Sequence, residues 1–410
     1  MSTSIHAKPL AAKVSSKTAF FAVLACWLLV VFDGYDLIVY GTVQKALLNE
    51  GWGLNDATLG TIGSLAFLGM LIGALLAGRL SDTLGRRKTI LSCAALFSVL
   101  TVLCAFAPNA MVFGGLRLLA GIGLGGLVPS VNAMVAELVP ERWRSGIATL
   151  MMSGVPVGGS IASLLGMGIV PNYGWQPMFV IGGAALVIVL PIAWATLPET
   201  MPATTHTKAG FGAQGFGALL QRKYVVASMV FAIANLATLF AWYGLATWLP
   251  KLMTGLNYDL GSALVFGLVL NLGAVAGSVI TAWAGDKFGP ALTGAVAAAL
   301  AGVGLGVIIT HPPVGVVYAM LVLAGIGTHG TAALIIAAVA NYYPHYLRGT
   351  ALGWTTGVGR IGAVLAPQAA GLMLQSGFGE SSNFLLFALG AGCSAALLLV
   401  TAVLTKSKTA

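Results

Sequence analysis

Long apolar runs, broken by turn residues and charge, divide the chain into twelve segments. They fall at 18–41, 57–79, 89–107, 110–136, 146–170 and 176–197, and again at 224–250, 260–284, 291–310, 314–340, 349–375 and 383–405. A helix crosses a bilayer with about 20 predominantly apolar residues, so the pattern predicts an all-α membrane protein with twelve transmembrane helices. The longest polar stretch, 198–223, separates two sets of six. The expected organisation is a tail at 1–17, a six-helix half at 18–197, a linker at 198–223, a second six-helix half at 224–405 and a tail at 406–410. The first run has no small-residue cleavage site and is expected to stay as a span.

Short cytoplasmic loops carry an excess of Lys and Arg. Of the 20 Lys and Arg residues, only Lys45 and Lys251 fall on one face of the predicted bundle. Arg117 and Arg360 lie inside spans, and the rest share the face that carries both termini and the linker. Both termini are therefore expected in the cytoplasm, and the net charge of +9 is mainly an orientation signal. Composition agrees: 58% of residues are hydrophobic and 8% charged, against about 25% charged in soluble domains. There is no soluble basic domain for binding nucleic acid. Cys26, Cys93, Cys104 and Cys393 lie in apolar stretches without CxxC spacing, so neither a metal site nor a disulfide framework is expected. No nucleophile–base pairing or cofactor loop suggests an enzyme.

The two halves repeat. Asp82 and Asp286, Gly85 and Gly289, Gly121 and Gly325, Gly123 and Gly327, Pro140 and Pro344, and Arg144 and Arg348 are each separated by 204 positions. Parallel repeats are one way secondary transporters are built, with the substrate near the midplane between them. The ionisable groups inside the spans break this repeat. Asp33, Asp36, Arg117, Arg360 and His329 pair under the offset with Ala237, Phe240, Leu321, Pro156 and Gly125. The repeat is read as the moving machine and its departures as the chemistry.

Charged side chains inside a membrane are costly and outline a pathway or a partner. Asp33 and Asp36 are spaced i, i+3, on one helix face, and two carboxylates so close in a poorly hydrated place are suited to carrying a proton. Arg117 and Arg360 each offer a planar fork that matches a carboxylate. His329 can accept a proton or partner a hydroxyl. Asn132, Asn235 and Asn271 can each cap a cavity or bond across helices.

Residues 78–88 read Gly-Arg-Leu-Ser-Asp-Thr-Leu-Gly-Arg-Arg-Lys. A tight turn at Gly85 brings Asp82, Arg86 and Arg87 together in a charge cluster that can close one end of the bundle and break when it opens. Asp286 and Gly289 repeat Asp82 and Gly85, Arg144 stands in the loop after the fourth span on that face and is repeated by Arg348, and Glu137 is expected to pair with basic residues such as Arg144. The stretch resembles the loop signature of the major facilitator superfamily. Arg117-Leu-Leu-Ala-Gly121-Ile-Gly123-Leu-Gly125 resembles its fourth-helix signature, and 140–146 the loop that follows. The resemblance covers nearly the whole chain. Thr83 departs from it, where members usually carry Arg.

Within that superfamily, Phe32-Asp33-Gly34-Tyr35-Asp36-Leu37 is similar to the Asp-Gly-x-Asp signature of aromatic acid:proton symporters. The resemblance implies import of a benzoate or hydroxybenzoate with protons by alternating access. Asp33 and Asp36 would couple protons, and Arg360 or Arg117 would hold the carboxylate. Independently of the resemblance, an aromatic ring needs flat apolar walls, for which Tyr35, Phe240, Trp242, Tyr243 and Trp354 are candidates, and His329 is a candidate partner for a ring hydroxyl. The resemblance also implies a monomer in a bacterial cytoplasmic membrane, driven by the proton gradient without a cofactor. A drug/proton antiporter of the same fold is the alternative, but residues 154–159 lack the Gly-Pro pair usual in its fifth helix. A non-transporting aromatic-acid receptor is a further alternative, although no signalling domain follows Lys408.

Overall fold

The structure is a computed structural model that describes residues 16–140, 143–199 and 217–409. The first half is built from α1 (Ser16–Leu48), α2 (Asp56–Leu84), α3 (Arg86–Cys104), α4 (Ala110–Leu138), α5 (Arg144–Tyr173) and α6 (Gln176–Thr196). The second half contains α7 (Val225–Gly255), α8 (Leu260–Phe288), α9 (Pro290–Ile308), α10 (Val314–Tyr342), α11 (His345–Gln375) and α12 (Glu380–Thr409). Twelve helices among the described residues are long and apolar enough to cross a membrane. Most of the expected linker and N-terminal tail lie outside the described residues, as do Glu141 and Arg142. The side chain of Asp82 is likewise outside the description.

Several helix ends differ from the sequence expectation. α1 runs on past Gln44 and Lys45 to Leu48 because Val43, Gln44 and Leu47 remain buried against neighbouring helices. At the other end of the chain, α12 continues to Thr409, through residues expected to be a tail. The sixth span is broken into Gln176–Gly182, Ala184–Val187 and Val189–Thr196. Its first break falls at the Gly182–Gly183 pair, where α6 meets Thr101 and Val102 of α3; adjacent small residues are a common cause of kinks.

Local chemistry fixes the helix starts. Asn55 and Thr58 form a reciprocal capping box at α2, and Asn109 caps α4 through the Val112 N–H. Asp259 caps α8, where the Ser262 hydroxyl and then the Ser262 N–H hold its carboxyl below the ordinary range. Gly85 and Gly289, equivalent under the repeat, turn the chain between α2 and α3 and between α8 and α9 at φ of 87° and 90°. Only glycine occupies that region at no steric cost, which accounts for the repeated Asp-x-x-Gly.

Packing repeats as the sequence does. α1 packs on α5 as α7 packs on α11, α2 on α4 as α8 on α10, and α3 on α4 as α9 on α10. The halves meet mainly through α2 against α11 and α5 against α8, with α1 against α7. On the face that carries Lys45 and Lys251 this seam is closed. Lys251 Nζ lies 2.6 Å from Asp56, the Thr61 hydroxyl donates to Gln368 at 2.8 Å, and the Trp248 indole donates to the Pro367 carbonyl at 3.1 Å. On the opposite face, beside the basic loops, the halves enclose a cavity of about 720 Å3 between α4 and α5 on one side and α8 and α10 on the other.

Candidate substrate and proton site

At the inner end of the large cavity lies a smaller one of about 160 Å3. Met152 and Ile336 line both. The small cavity is walled by Phe67 and Met70 from α2, by Asn235, Leu239 and Tyr243 from α7, and by Thr356, Arg360 and Ala363 from α11. The Phe67 and Tyr243 rings stand 4.7 Å apart and join the two halves over it. Apolar walls with a few converging polar groups are the usual form of a small-molecule site. A dry apolar cavity of about 150 Å3 is large enough to hold benzene, so this one, at about 160 Å3, has room for a single ring.

Arg360 supplies the charge. Its Nη1 donates to the Met70 carbonyl at 3.3 Å, and the rest of the fork is available to the cavity it lines. Asp33 is buried within electrostatic reach of Arg360, and Tyr243 lies within reach of both. Asp33 and Arg360 are neighbours without direct pairing, in contrast to the ion pairs Arg86–Glu137, Arg117–Asp36 and Lys251–Asp56. Asp33 Oδ1 has no hydrogen-bond partner. A buried polar atom left in this way is costly, and a carboxyl that binds and releases a proton is one chemistry that such an atom serves.

Asp36 is placed differently, although it sits one turn away on the same helix. Arg117 Nη1 meets Asp36 Oδ2 at 2.5 Å, Arg117 Nη2 donates to the Asp36 carbonyl at 3.2 Å, and the Thr101 hydroxyl donates to Asp36 Oδ1 at 2.6 Å. The guanidinium lies 5.8 Å from the Tyr40 ring centre and 6.0 Å from that of Phe179. Both charged side chains are almost wholly inaccessible. The expected free carboxylate pair is therefore split: Asp33 stands alone near the cavity, while Asp36 is neutralised inside the first half. Arg117 does not line the cavity.

The remaining expected contacts also sort by geometry. Of the aromatic candidates, only Tyr243 lines the small cavity. The Tyr35 hydroxyl donates to the Met178 carbonyl at 2.8 Å within the first half. Phe240 packs on Phe387, and the Trp354 indole donates to the Ser228 carbonyl. His329 is buried against Trp242, with its Nε2 3.2 Å from the Met152 carbonyl. In a helix that carbonyl would accept the N–H of residue 156, but position 156 is proline and has none. His329 thus satisfies a carbonyl orphaned by Pro156, across the two halves, instead of facing the cavity.

Of the residues expected at the gate, Arg86, Arg87 and Glu137 make contacts within the first half. Arg86 Nη2 pairs with Glu137 at 2.6 Å, and the Arg86 N–H donates to Glu199. Arg87 donates to the Trp194 carbonyl and lies over its ring. Glu137 therefore pairs with Arg86, not Arg144, whose Nε donates to Val139 at 3.4 Å. Arg144 and Asp286 line opposite sides of the large cavity. No ion pair among the described residues joins Arg144, Asp286 or Arg348.

Phe67, Met70, Leu239 and Thr356 were not foreseen as lining residues. One signal would have found Phe67 and sharpened the reading of Asn235 and Tyr243: departure from the repeat. The offset of 204 pairs Phe67 with Asn271, Asn235 with Val31, and Tyr243 with Val39.

Twelve spans in two pseudo-equivalent halves, with an apolar cavity carrying a few polar groups between them, define a membrane transporter. The model of the Major Facilitator Superfamily matches residues 26–367 and 268–410, and the chain belongs to that superfamily. It is similar to the gentisate transporter of Corynebacterium glutamicum, with 56% identity over 392 residues covering 94% of this chain and 88% of that one. The benzoate transport protein of Acinetobacter baylyi is 33% identical over 393 residues, covering 87% and 84%. Among solved structures, a D-xylose-proton symporter superposes with a TM-score of 0.77 at 19% identity, covering 92% of this chain and 97% of that one. The xylose transporter of Escherichia coli in a partially occluded inward-open conformation gives 0.74 at 17% identity, covering 93% and 97%. At such identity the likeness to these structures concerns the fold alone.

Proposed function

We infer that this protein imports a small aromatic carboxylate together with one or more protons, by alternating access across a bacterial cytoplasmic membrane, as a monomer. The observation that carries this reading is Arg360 lining a cavity large enough for one ring, with the buried Asp33, whose Oδ1 has no hydrogen-bond partner, within its electrostatic reach. The names of the similar transporters, for gentisate and benzoate, support the substrate class.

The chemistry follows from charge balance. An aromatic carboxylate on the free edge of Arg360 gains charge-assisted hydrogen bonds. It also takes up the positive charge that Asp33 otherwise shares. Asp33 then favours its protonated form, and the loaded cavity is neutral. Moving an uncompensated buried charge costs several kcal/mol, so only the neutral cavity rocks easily. If the face with the basic loops is cytoplasmic, the present conformation is open inward. There, departure of the ring acid and loss of the proton return Asp33 and Arg360 to their mutual attraction.

Uptake of labelled gentisate into proteoliposomes tests the substrate class, and Arg360→Ala tests the clamp. Wild type is expected to take up gentisate with competition by other single-ring acids, and Arg360→Ala to lose binding by at least about tenfold. A wild-type isotherm in Arg360→Ala would place the carboxylate elsewhere.

A further inference from the structure

Asn235 is 2% exposed yet lines the small cavity. Its Nδ2 donates to the Thr355 carbonyl at 2.9 Å. This bond fixes the amide, since the reverse orientation would set two acceptors against each other. The other end, Oδ1, makes no hydrogen bond among the described residues and is not one of the sealed, unpartnered atoms, so it keeps access to the cavity that Asn235 lines. The arrangement depends on Gly359, one residue before Arg360. A Cβ there would lie 2.7 Å from the Asn235 Cγ and would collide with Nδ2, so the absence of a side chain at 359 is what lets α7 bring this amide against α11.

The polar groups at the cavity are not equivalent. Arg360 only donates, and it suits a carboxylate. The hydroxyls of Tyr243 and Thr356 can donate or accept, so they select nothing by polarity. Asn235 Oδ1 only accepts. A bound benzoate has no donor to give it, because its carboxylate accepts and its ring carries only C–H. A ring hydroxyl has one.

We propose that Asn235 is a specificity-determining residue that accepts a hydrogen bond from a ring hydroxyl while Arg360 holds the carboxylate, so that the site prefers hydroxylated benzoates to benzoate. The proposal rests on the reading of this cavity as the ring-acid site. A site built to pair with a hydroxyl rejects the analogue that lacks it, because the site's own buried polar atom is then left bare.

The test is competition against labelled gentisate on purified full-length protein by 2-, 3- and 4-hydroxybenzoate and by the corresponding fluorobenzoates, which are close in size but have no donor. In wild type, at least one ring position is expected to favour hydroxyl over fluorine by about tenfold or more. Asn235→Ala removes the acceptor, and Gly359→Ala displaces it without touching the residue itself. Each is expected to bring that ratio to within about twofold of one. The hydroxyl/fluorine comparison on wild type stands even if either variant does not fold. Equal competition at every ring position, or a ratio preserved in a folded variant, would overturn the role of Asn235 while leaving the ring-acid site standing. Failure of wild type to bind any ring acid would instead remove the underlying reading.

Discussion

Asp33 and Asp36 share a helix face and a motif, yet they have opposite fates, and the partner decides which. Asp36 has a guanidinium and a hydroxyl on its two oxygens, whereas Asp33 Oδ1 has neither. Removing one member of a buried ion pair costs about 3–5 kcal/mol because the other charge is left uncompensated, while replacing both with apolar groups is often close to neutral. Arg117→Met is therefore expected to lower the thermal midpoint of the purified protein sharply, and Asp36→Leu/Arg117→Met to recover most of the loss. A double variant no more stable than the single would show that the pair is not the source of the effect. The sequence made all four charges inside the spans legible, since each interrupts an apolar run. It did not reveal which were paired, because positions 36, 101 and 117 come together only when α1, α3 and α4 pack.

At the scale of elements, α5 and α10 are joined by a bond that a backbone defect creates. Pro156 denies the Met152 carbonyl its intrahelical donor, and His329 supplies one from the other half. His329→Phe keeps a ring against Trp242 but leaves the carbonyl bare, at an expected cost of about 1–3 kcal/mol. Pro156→Ala restores an N–H to the carbonyl from within α5. In the Pro156→Ala background, His329→Phe is then expected to cost clearly less, read as a coupling energy from denaturation of the two singles and the double. Additive effects would contradict the assignment. The helices themselves were plain from apolar length and from the turn residues that punctuate them. The break in α6 was not, because its residues remain apolar throughout and only the close approach of α3 to the Gly182–Gly183 pair distinguishes it. His329 read as a ligand contact for a similar reason: a polar residue in an apolar run announces that it has a partner, but not that the partner is a carbonyl 177 positions away.

At the scale of the whole molecule, the repeat written into the sequence is visible as matching helix pairs, and the asymmetry between the two faces of the bundle describes one end of a transport cycle. The seam at Lys251–Asp56, Thr61–Gln368 and Trp248–Pro367 is closed, while Arg144 and Asp286 stand on opposite sides of an open cavity. The sequence could supply the two halves but not the state, which depends on which seam is closed. A partly exposed ion pair contributes about 0–1 kcal/mol. Lys251→Glu, which replaces attraction with repulsion, is thus expected to raise the reactivity of a Thr61→Cys probe towards an impermeant maleimide by up to about fivefold; unchanged reactivity would assign closure to the other contacts. The central claim is that Asp33 carries the proton whose movement drives the ring acid. The direct measurement is accumulation of labelled gentisate in proteoliposomes of known orientation, with and without an acidic exterior, for wild type and Asp33→Asn. Wild type is predicted to concentrate gentisate only under the pH difference, and Asp33→Asn to exchange gentisate across the membrane without concentrating it. Uphill accumulation by Asp33→Asn equal to wild type, or wild-type transport indifferent to the pH difference, would contradict the account.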